Sequence, residues 1–168
     1  MQATSNVVEA CSALLAELGY RLAVAESMTA GQLMATFALS RKASGVLLGG
    51  IVCYDAGIKV QLLQVPRALI EAHTPESAEV TQAMAENLSL HFPEAEVRIA
   101  VTGLARPGGS ETVEKPVGTV FFHVIVPGQQ WALREQFSGS ATEIVEAAIE
   151  CVAQFLIDLL SPHPVPAS

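Results

Sequence analysis

The sequence predicts a three-layer α/β/α sandwich around a mixed sheet of about five strands, the last two forming an antiparallel hairpin. Three observations carry this. Short apolar runs alternate with segments of helical spacing in the order β, α, β, α, α, β, before a final pair of runs and a last helix. Those last two runs are joined only by Pro127-Gly128-Gln129-Gln130, a connection short enough to force a reversal. The chain has 168 residues, of which 51% are apolar, which supports a full core and excludes a disordered chain. The expected organisation is a single domain over 1–160, followed by a disordered Pro-rich tail over 161–168.

The first helix is expected over 6–18, with Val7, Val8, Cys11, Leu14, Leu15 and Leu18 on one face and Gly19 as its stop. A buried strand over 21–25 follows. It breaks at Glu26-Ser27-Met28-Thr29-Ala30-Gly31, and helical spacing resumes at Leu33, Met34 and Phe37, predicting a helix over 29–39. A polar connection over 40–45 leads to Val46-Leu47-Leu48-Gly49-Gly50-Ile51-Val52-Cys53-Tyr54. This near-continuous apolar run reads as a strand buried on both faces. Its Gly49-Gly50 pair points to a bulge or a close backbone approach.

Short helices are expected over 56–63 and 66–71, then a loop at His73-Thr74-Pro75-Glu76. A helix over 78–91 turns Val80, Met84 and Leu88 inward. The third strand, 97–101, runs into Thr102-Gly103-Leu104-Ala105. The stretch 106–116 is polar and rich in Pro and Gly, and reads as a surface loop. The hairpin strands are expected over 117–126 and 131–137. The closing helix over 141–160 carries Ile144, Val145, Ala148, Ile149, Val152 and Leu156 inward, with Ser140 or Thr142 as its cap.

Composition excludes several functions. The net charge is −8 with only nine basic residues and no basic run, which argues against nucleic acid or anionic membrane as a partner. One bound nucleotide needs only a few local donors and stays open. No apolar run reaches membrane-spanning length, and Met-Gln-Ala-Thr-Ser-Asn lacks the pattern of a signal peptide, so the expected location is the cytoplasm. The spacing of Cys11, Cys53 and Cys151 matches neither a metal site nor a redox pair, and all three read as free thiols. No HExxH, CxxC or Walker spacing occurs, and none of His73, His91, His123 and His163 has an acidic partner by local spacing.

The chemistry concentrates where strands end. If the first three strands are parallel, Ser27, Tyr54 and Thr102-Gly103 share one edge of the sheet, the edge where α/β proteins place ligands. Ser27 is the candidate centre; the competing reading is that Ser27 or Thr29 only caps the following helix. Lys59 starts a helix on the same edge, one of three lysines in the chain. In a desolvated cleft it is a candidate general base for a serine, as in Ser–Lys hydrolases; on the surface it is a snorkelling side chain. Glu26 reads either as a solvated carboxylate or as a partner of Lys59.

In order along the chain stand Ala25-Glu26-Ser27-Met28-Thr29-Ala30-Gly31, Gly49-Gly50-Ile51-Val52-Cys53-Tyr54 with Lys59, Leu63-Gln64-Val65-Pro66, and Ser77-Ala78-Glu79-Val80 with Met84-Ala85. Val101-Thr102-Gly103-Leu104-Ala105 with Pro107-Gly108-Gly109, Lys115-Pro116-Val117-Gly118-Thr119-Val120 and Phe137-Ser138-Gly139 complete the series. Each motif is weak alone, but the ordered set resembles the CinA carboxy-terminal domain family of nicotinamide-nucleotide amidohydrolases. The resemblance implies an α/β/α sandwich and hydrolysis of the carboxamide of nicotinamide mononucleotide to nicotinate mononucleotide and ammonia. It implies no metal or organic cofactor, and a small-molecule nucleotide as substrate. By this resemblance Ser27 is the nucleophile and Lys59 its activator, with Tyr54 and Thr102 in support. Glu26, Thr29, Ala30, Gly31, Gly103, Ala105 and Arg106 fall at the substrate or its oxyanion. Self-association is a further expectation, as for many small α/β domains.

Three departures oppose an active enzyme. Ala30 and Arg106 stand where the family has glycine, and Ser140-Ala141 stands where it commonly has Asp-Arg. Arg106 then reads either as a phosphate contact or as a block at the mouth of the site. The alternative function is a catalytically silent relative that binds a nucleotide or a protein.

Overall fold

The computed structural model describes residues 2–161; the stretch 162–168, which includes His163 and nearly all of the expected disordered tail, lies outside the described residues. Five strands form one open sheet in the order β2-β1-β3-β4-β5: β1 (Leu22–Glu26), β2 (Leu47–Val52), β3 (Val97–Gly103), β4 (Thr119–Val126) and β5 (Gln129–Gln136). β1 is parallel to both β2 and β3, whereas β3–β4 and β4–β5 are antiparallel. The mixed sheet and closing hairpin are those expected from the sequence.

Side chains alternate across each strand, so the sheet sends two different sets of residues to its two faces. Leu22, Val24, Val97, Ile99, Val101, Val120, Phe122 and Val124 meet α1 (Gln2–Leu18), α2 (Gln32–Ala38) and α7 (Ala141–Leu160). Ala23, Ala25, Cys53 and Ala100 meet α4 (Ala56–Leu63), α5 (Arg67–His73) and α6 (Ala78–Asn87). The second face uses small residues, which leaves room for polar side chains near the strand ends. α7 holds the first layer: Ile144, Val145, Ala148, Ile149, Val152, Ala153 and Leu156 are buried. Each large aliphatic side chain removed from water there contributes roughly 1.5–3 kcal/mol. Ser140 caps α7 in a reciprocal box with Glu143.

Several boundaries differ from expectation for local reasons. α1 begins at Gln2, and the connection 40–45 contains a single turn, α3 (Ala43–Val46). α2 starts three residues later than its spacing implies, because Ala30 and Gly31 both take positive φ, 50° and 94°. His73 belongs to the last turn of α5, and the expected helix over 78–91 ends at Asn87 in a 3₁₀ turn, Leu88–Leu90. The hairpin closes tightly at Pro127-Gly128, so β5 begins at Gln129. The Gly49-Gly50 expectation holds in both parts. The β1–β2 register skips Leu48, and a Cβ at Gly50 would lie 2.5 Å from Val24 Cγ2.

Among the described residues no helix is long and apolar enough to cross a membrane.

Candidate active site

β1 and β3 run side by side, and the Ser27 N–H continues their pairing by donating to the Val101 carbonyl at 3.1 Å. This sets Ser27 and Thr102 as neighbours at the ends of adjacent strands, on the face covered by α4 and α6. α4 is started by Asp55, whose carboxylate accepts from the Gly57 N–H, so its first turn is aimed back at the sheet edge. Lys59, in its second turn, has 0% exposure. Its Nζ donates to Ser27 Oγ at 2.8 Å and to the Cys53 carbonyl at 2.8 Å. Both partners are uncharged. Burial pushes the lysine below its ordinary pKa, opposed by the fields of Cys53, Glu76 and Asp55. The snorkelling reading of Lys59 therefore fails: this is a sealed amine aimed at a hydroxyl.

Ser27 is 4% exposed and forms part of the floor of a cleft of about 510 Å³. Ala30, Gly103, Ala105 and Arg106 line the same cleft, with Tyr54, Gln32, Glu76 and the start of α7. Tyr54 is 69% exposed and forms an outer wall. Thr102 is buried, with its Oγ1 2.8 Å from Thr81 Oγ1, which also donates to the Ser77 carbonyl at 2.6 Å. A hydroxyl carries one proton. Thr81's proton goes to the carbonyl, so Thr102 donates to Thr81; Thr102 lies beneath the cleft and is not among the residues that line it.

Two expectations for the β1–α2 turn are corrected. Neither Ser27 nor Thr29 caps α2; Glu26 does. Its carboxylate, fully buried, accepts from the N–H groups of Gly31 (2.9 Å), Leu33 (3.1 Å) and Met34 (2.8 Å). It is thus neither solvated nor a partner of Lys59 nor among the residues that line the cleft, and it fills the helix N-terminus. The Gly31 amide is committed to this cap and the Ala30 amide to the Ser27 carbonyl at 3.0 Å. Thr29 is buried, and its Oγ1 has no hydrogen-bond partner.

The described histidines stay outside this site. His123 Nε2 lies 3.2 Å from Gln130 Oε1, and His73 Nδ1 lies 3.4 Å from Glu79 Oε1. His91 Nε2 is 2.6 Å from the Leu62 carbonyl. The cysteines are free, and burial drives the Cys11 thiol up to about 12. No cluster of three or more potential metal ligands occurs among the described residues.

Two parts of the site were missed in the sequence. Thr81 was readable only as a polar residue on the buried face of α6, beside Val80, Met84 and Ala85. Glu76 sat in a loop with no local sign that it faces the cleft.

Residues 4–160 match the CinA C-terminal domain family. The chain is 40% identical over 146 residues to a CinA-like protein of Desulfotalea psychrophila, covering 87% of this chain and 34% of that one. It is 39% identical over 157 residues to one of Mycobacterium marinum, covering 86% and 36%. The chain therefore spans about a third of the length of these curated relatives. Among solved structures it superposes on a competence-damaged protein (CinA) superfamily protein of Klebsiella pneumoniae with a TM-score of 0.88. That pair is 28% identical, with 94% of this chain and 97% of that one covered. A competence/damage inducible protein of Agrobacterium tumefaciens gives 0.86 at 26% identity, with 95% and 96% covered. The fold and these matches together show that the chain belongs to the CinA C-terminal domain family.

Proposed function

We propose that this domain hydrolyses the carboxamide of a nicotinamide mononucleotide through a Ser27–Lys59 pair. The observation that carries the reading is the 2.8 Å contact between a fully buried Lys59 Nζ and Ser27 Oγ at the floor of an open cleft.

With Lys59 neutral, its lone pair takes the Ser27 proton as Oγ attacks the amide carbon. The resulting ammonium is held by the Cys53 carbonyl and returns its proton to the departing amine, so the C–N bond breaks and ammonia leaves. Water then attacks the acyl-serine with Lys59 again as base. The ester bond breaks, Ser27 recovers its proton and the carboxylate departs. Thr102, bonded to Thr81 at the end of the strand beside Ser27, supports the site from beneath as packing. Arg106 is the cleft-lining cation available to the nucleotide phosphate.

The test is incubation of purified protein with nicotinamide mononucleotide, following ammonia and nicotinate mononucleotide, with Ser27→Ala in parallel. Turnover by the parent and none by a folded variant is the expected result. Equal turnover by both removes Ser27 as nucleophile, and no turnover by the parent removes this substrate.

One observation favours a second reading, a silent nucleotide-binding relative. Ala30 holds φ 50°, a conformation suited to glycine, and its methyl group lies at the cleft wall.

A further inference from the structure

A second lysine is as fully engaged as Lys59, on the far side of the cleft. Lys115 Nζ donates to Thr74 Oγ1 at 2.6 Å, Ser110 Oγ at 2.7 Å and the Glu76 carbonyl at 2.9 Å. An ammonium has three protons, and all three are placed. Ser110 Oγ lies 2.5 Å from Glu76 Oε2 and gives its single proton to that carboxylate. The partners come from two separate segments. Thr74 and Glu76 belong to the turn between α5 and α6, and Ser110 and Lys115 to the long loop between β3 and β4.

Two further features give this cluster a purpose. Thr74 sits at φ 71°, ψ 157°, a region that glycine tolerates and a β-branched residue occupies only under strain. Its hydroxyl is what Lys115 holds. The loop, in turn, is a wall of the cleft: Leu104 to Gly109 line one side, and Glu76 lines it from the turn. The loop's neck is closed by Leu104 N–H to the Thr119 carbonyl at 2.9 Å. Beyond that neck it is tied down by Lys115 and Ser110, and by Arg134 donating to the Glu114 carbonyl.

We propose that Lys115 is a positioning residue: its ammonium clasps the β3–β4 loop to the α5–α6 turn, and so fixes the cleft wall that carries Arg106 and the carboxylate of Glu76. Lys115 touches neither Ser27 nor Lys59, so it sets how well substrate is held rather than the rate of bond breaking. The kinetic consequence rests on the amidase reading; the structural one does not.

The experiment is limited proteolysis of the native protein with a glutamate-specific protease, alongside steady-state kinetics on nicotinamide mononucleotide. Trypsin is unsuitable, because Arg106 and Lys115 each precede proline. Glu111 and Glu114 lie exposed in the loop, and Glu17 and Glu94 are exposed elsewhere. Losing a charge-assisted tripod is expected to raise the open population about tenfold or more. Lys115→Met should therefore speed cleavage at Glu111 and Glu114 by that factor and leave Glu17 and Glu94 unchanged. KM should rise as the reciprocal of the closed fraction that remains, with kcat changed by less than about twofold. Ser110→Ala should give a smaller shift in the same direction, and Thr74→Gly should raise Tm more in the Lys115→Met background than in the parent.

Unchanged loop cleavage, or equal acceleration at all four glutamates, overturns the clasp. A fall in kcat with KM unmoved overturns its role in positioning. If the parent proves inactive on this substrate, the amidase reading fails separately, and loop cleavage alone decides the clasp.

Discussion

The chemistry depends on whether Lys59 carries its proton. Burial disfavours the charged form, and its two bonded partners, a hydroxyl and a carbonyl, bring no negative charge. The folded-state pKa is therefore below 10.5. Between that lowered value and 10.5 the unfolded chain holds one proton more than the native one, so stability rises with pH across this window. Below the window both states are protonated, and the cost of a buried ammonium is complete. One proton gives a slope of at most about 1.4 kcal/mol per pH unit. Lys115 adds a slope of the same sign, while thiols such as Cys11, pushed up to about 12, act oppositely once unfolded cysteine ionises. The Lys59→Met variant isolates the lysine: its urea-derived stability should rise less than the parent's as pH climbs toward 10.5, and amidase activity in the parent should climb with pH as Lys59 loses its proton. Parallel stability curves for the two proteins would mean that Lys59 is charged in the native state. This pair was legible in the sequence because lysine is scarce and both residues follow strands ending on one edge. Thr81 and Lys115 were not, because neither follows a strand ending on that edge: one sits within α6 and the other in the polar loop before β4, where no local pattern marks a partner.

The turn from β1 to α2 shows how an element can be placed correctly and its wiring misread. Strand, break and helix follow from the apolar spacing. The cap does not, because Glu26 reaches forward five to eight residues instead of occupying the N-cap position. That reach forces a tight path through Ala30 and Gly31, both at positive φ. The left-handed conformation costs an L-residue roughly 1–2 kcal/mol, while glycine gives back roughly 0.4–1 kcal/mol through the freer unfolded chain. The strain term is the larger, so Ala30→Gly should stabilise the protein by up to about 1 kcal/mol, or roughly 2–4 °C in Tm. Thermal unfolding of the variant checks this, and a lowered Tm would show that the methyl packs more usefully than it strains. The same variant separates the two functional readings. If the methyl at the cleft wall has silenced the domain, Ala30→Gly gains amide hydrolysis; if the domain is active, kcat/KM stays level or rises.

Across the whole molecule the two sheet faces divide the labour. The face under α1, α2 and α7 is built from large aliphatic side chains and supplies most of the apolar burial. The opposite face uses alanines, which opens space at the strand ends for Ser27, Lys59, Thr81 and Thr102. Element order and layering could be inferred from hydrophobic period, because a one-residue slip would turn these two sets inside out, whereas the sheet order β2-β1-β3-β4-β5 is a matter of pairing that the period does not encode. A cleft resting on so firm a base should bind without refolding, so ligand affinity should appear directly as thermal stability. Ser27→Ala keeps the cleft but lacks the nucleophile, so it can be saturated with substrate without consuming it. At one hundred times Kd a single site adds about 2.7 kcal/mol, which for a domain of this size raises Tm by roughly 5–10 °C. Nicotinamide mononucleotide should produce that shift in Ser27→Ala, and Arg106→Ala in the same background should need a higher concentration to reach it. Equal curves with and without Arg106 would remove it as the phosphate contact. A shift in Ser27→Ala accompanied by no turnover in the parent would identify a binding module that has kept its cleft and lost its chemistry. No shift at any concentration would take the mononucleotide out of this cleft altogether.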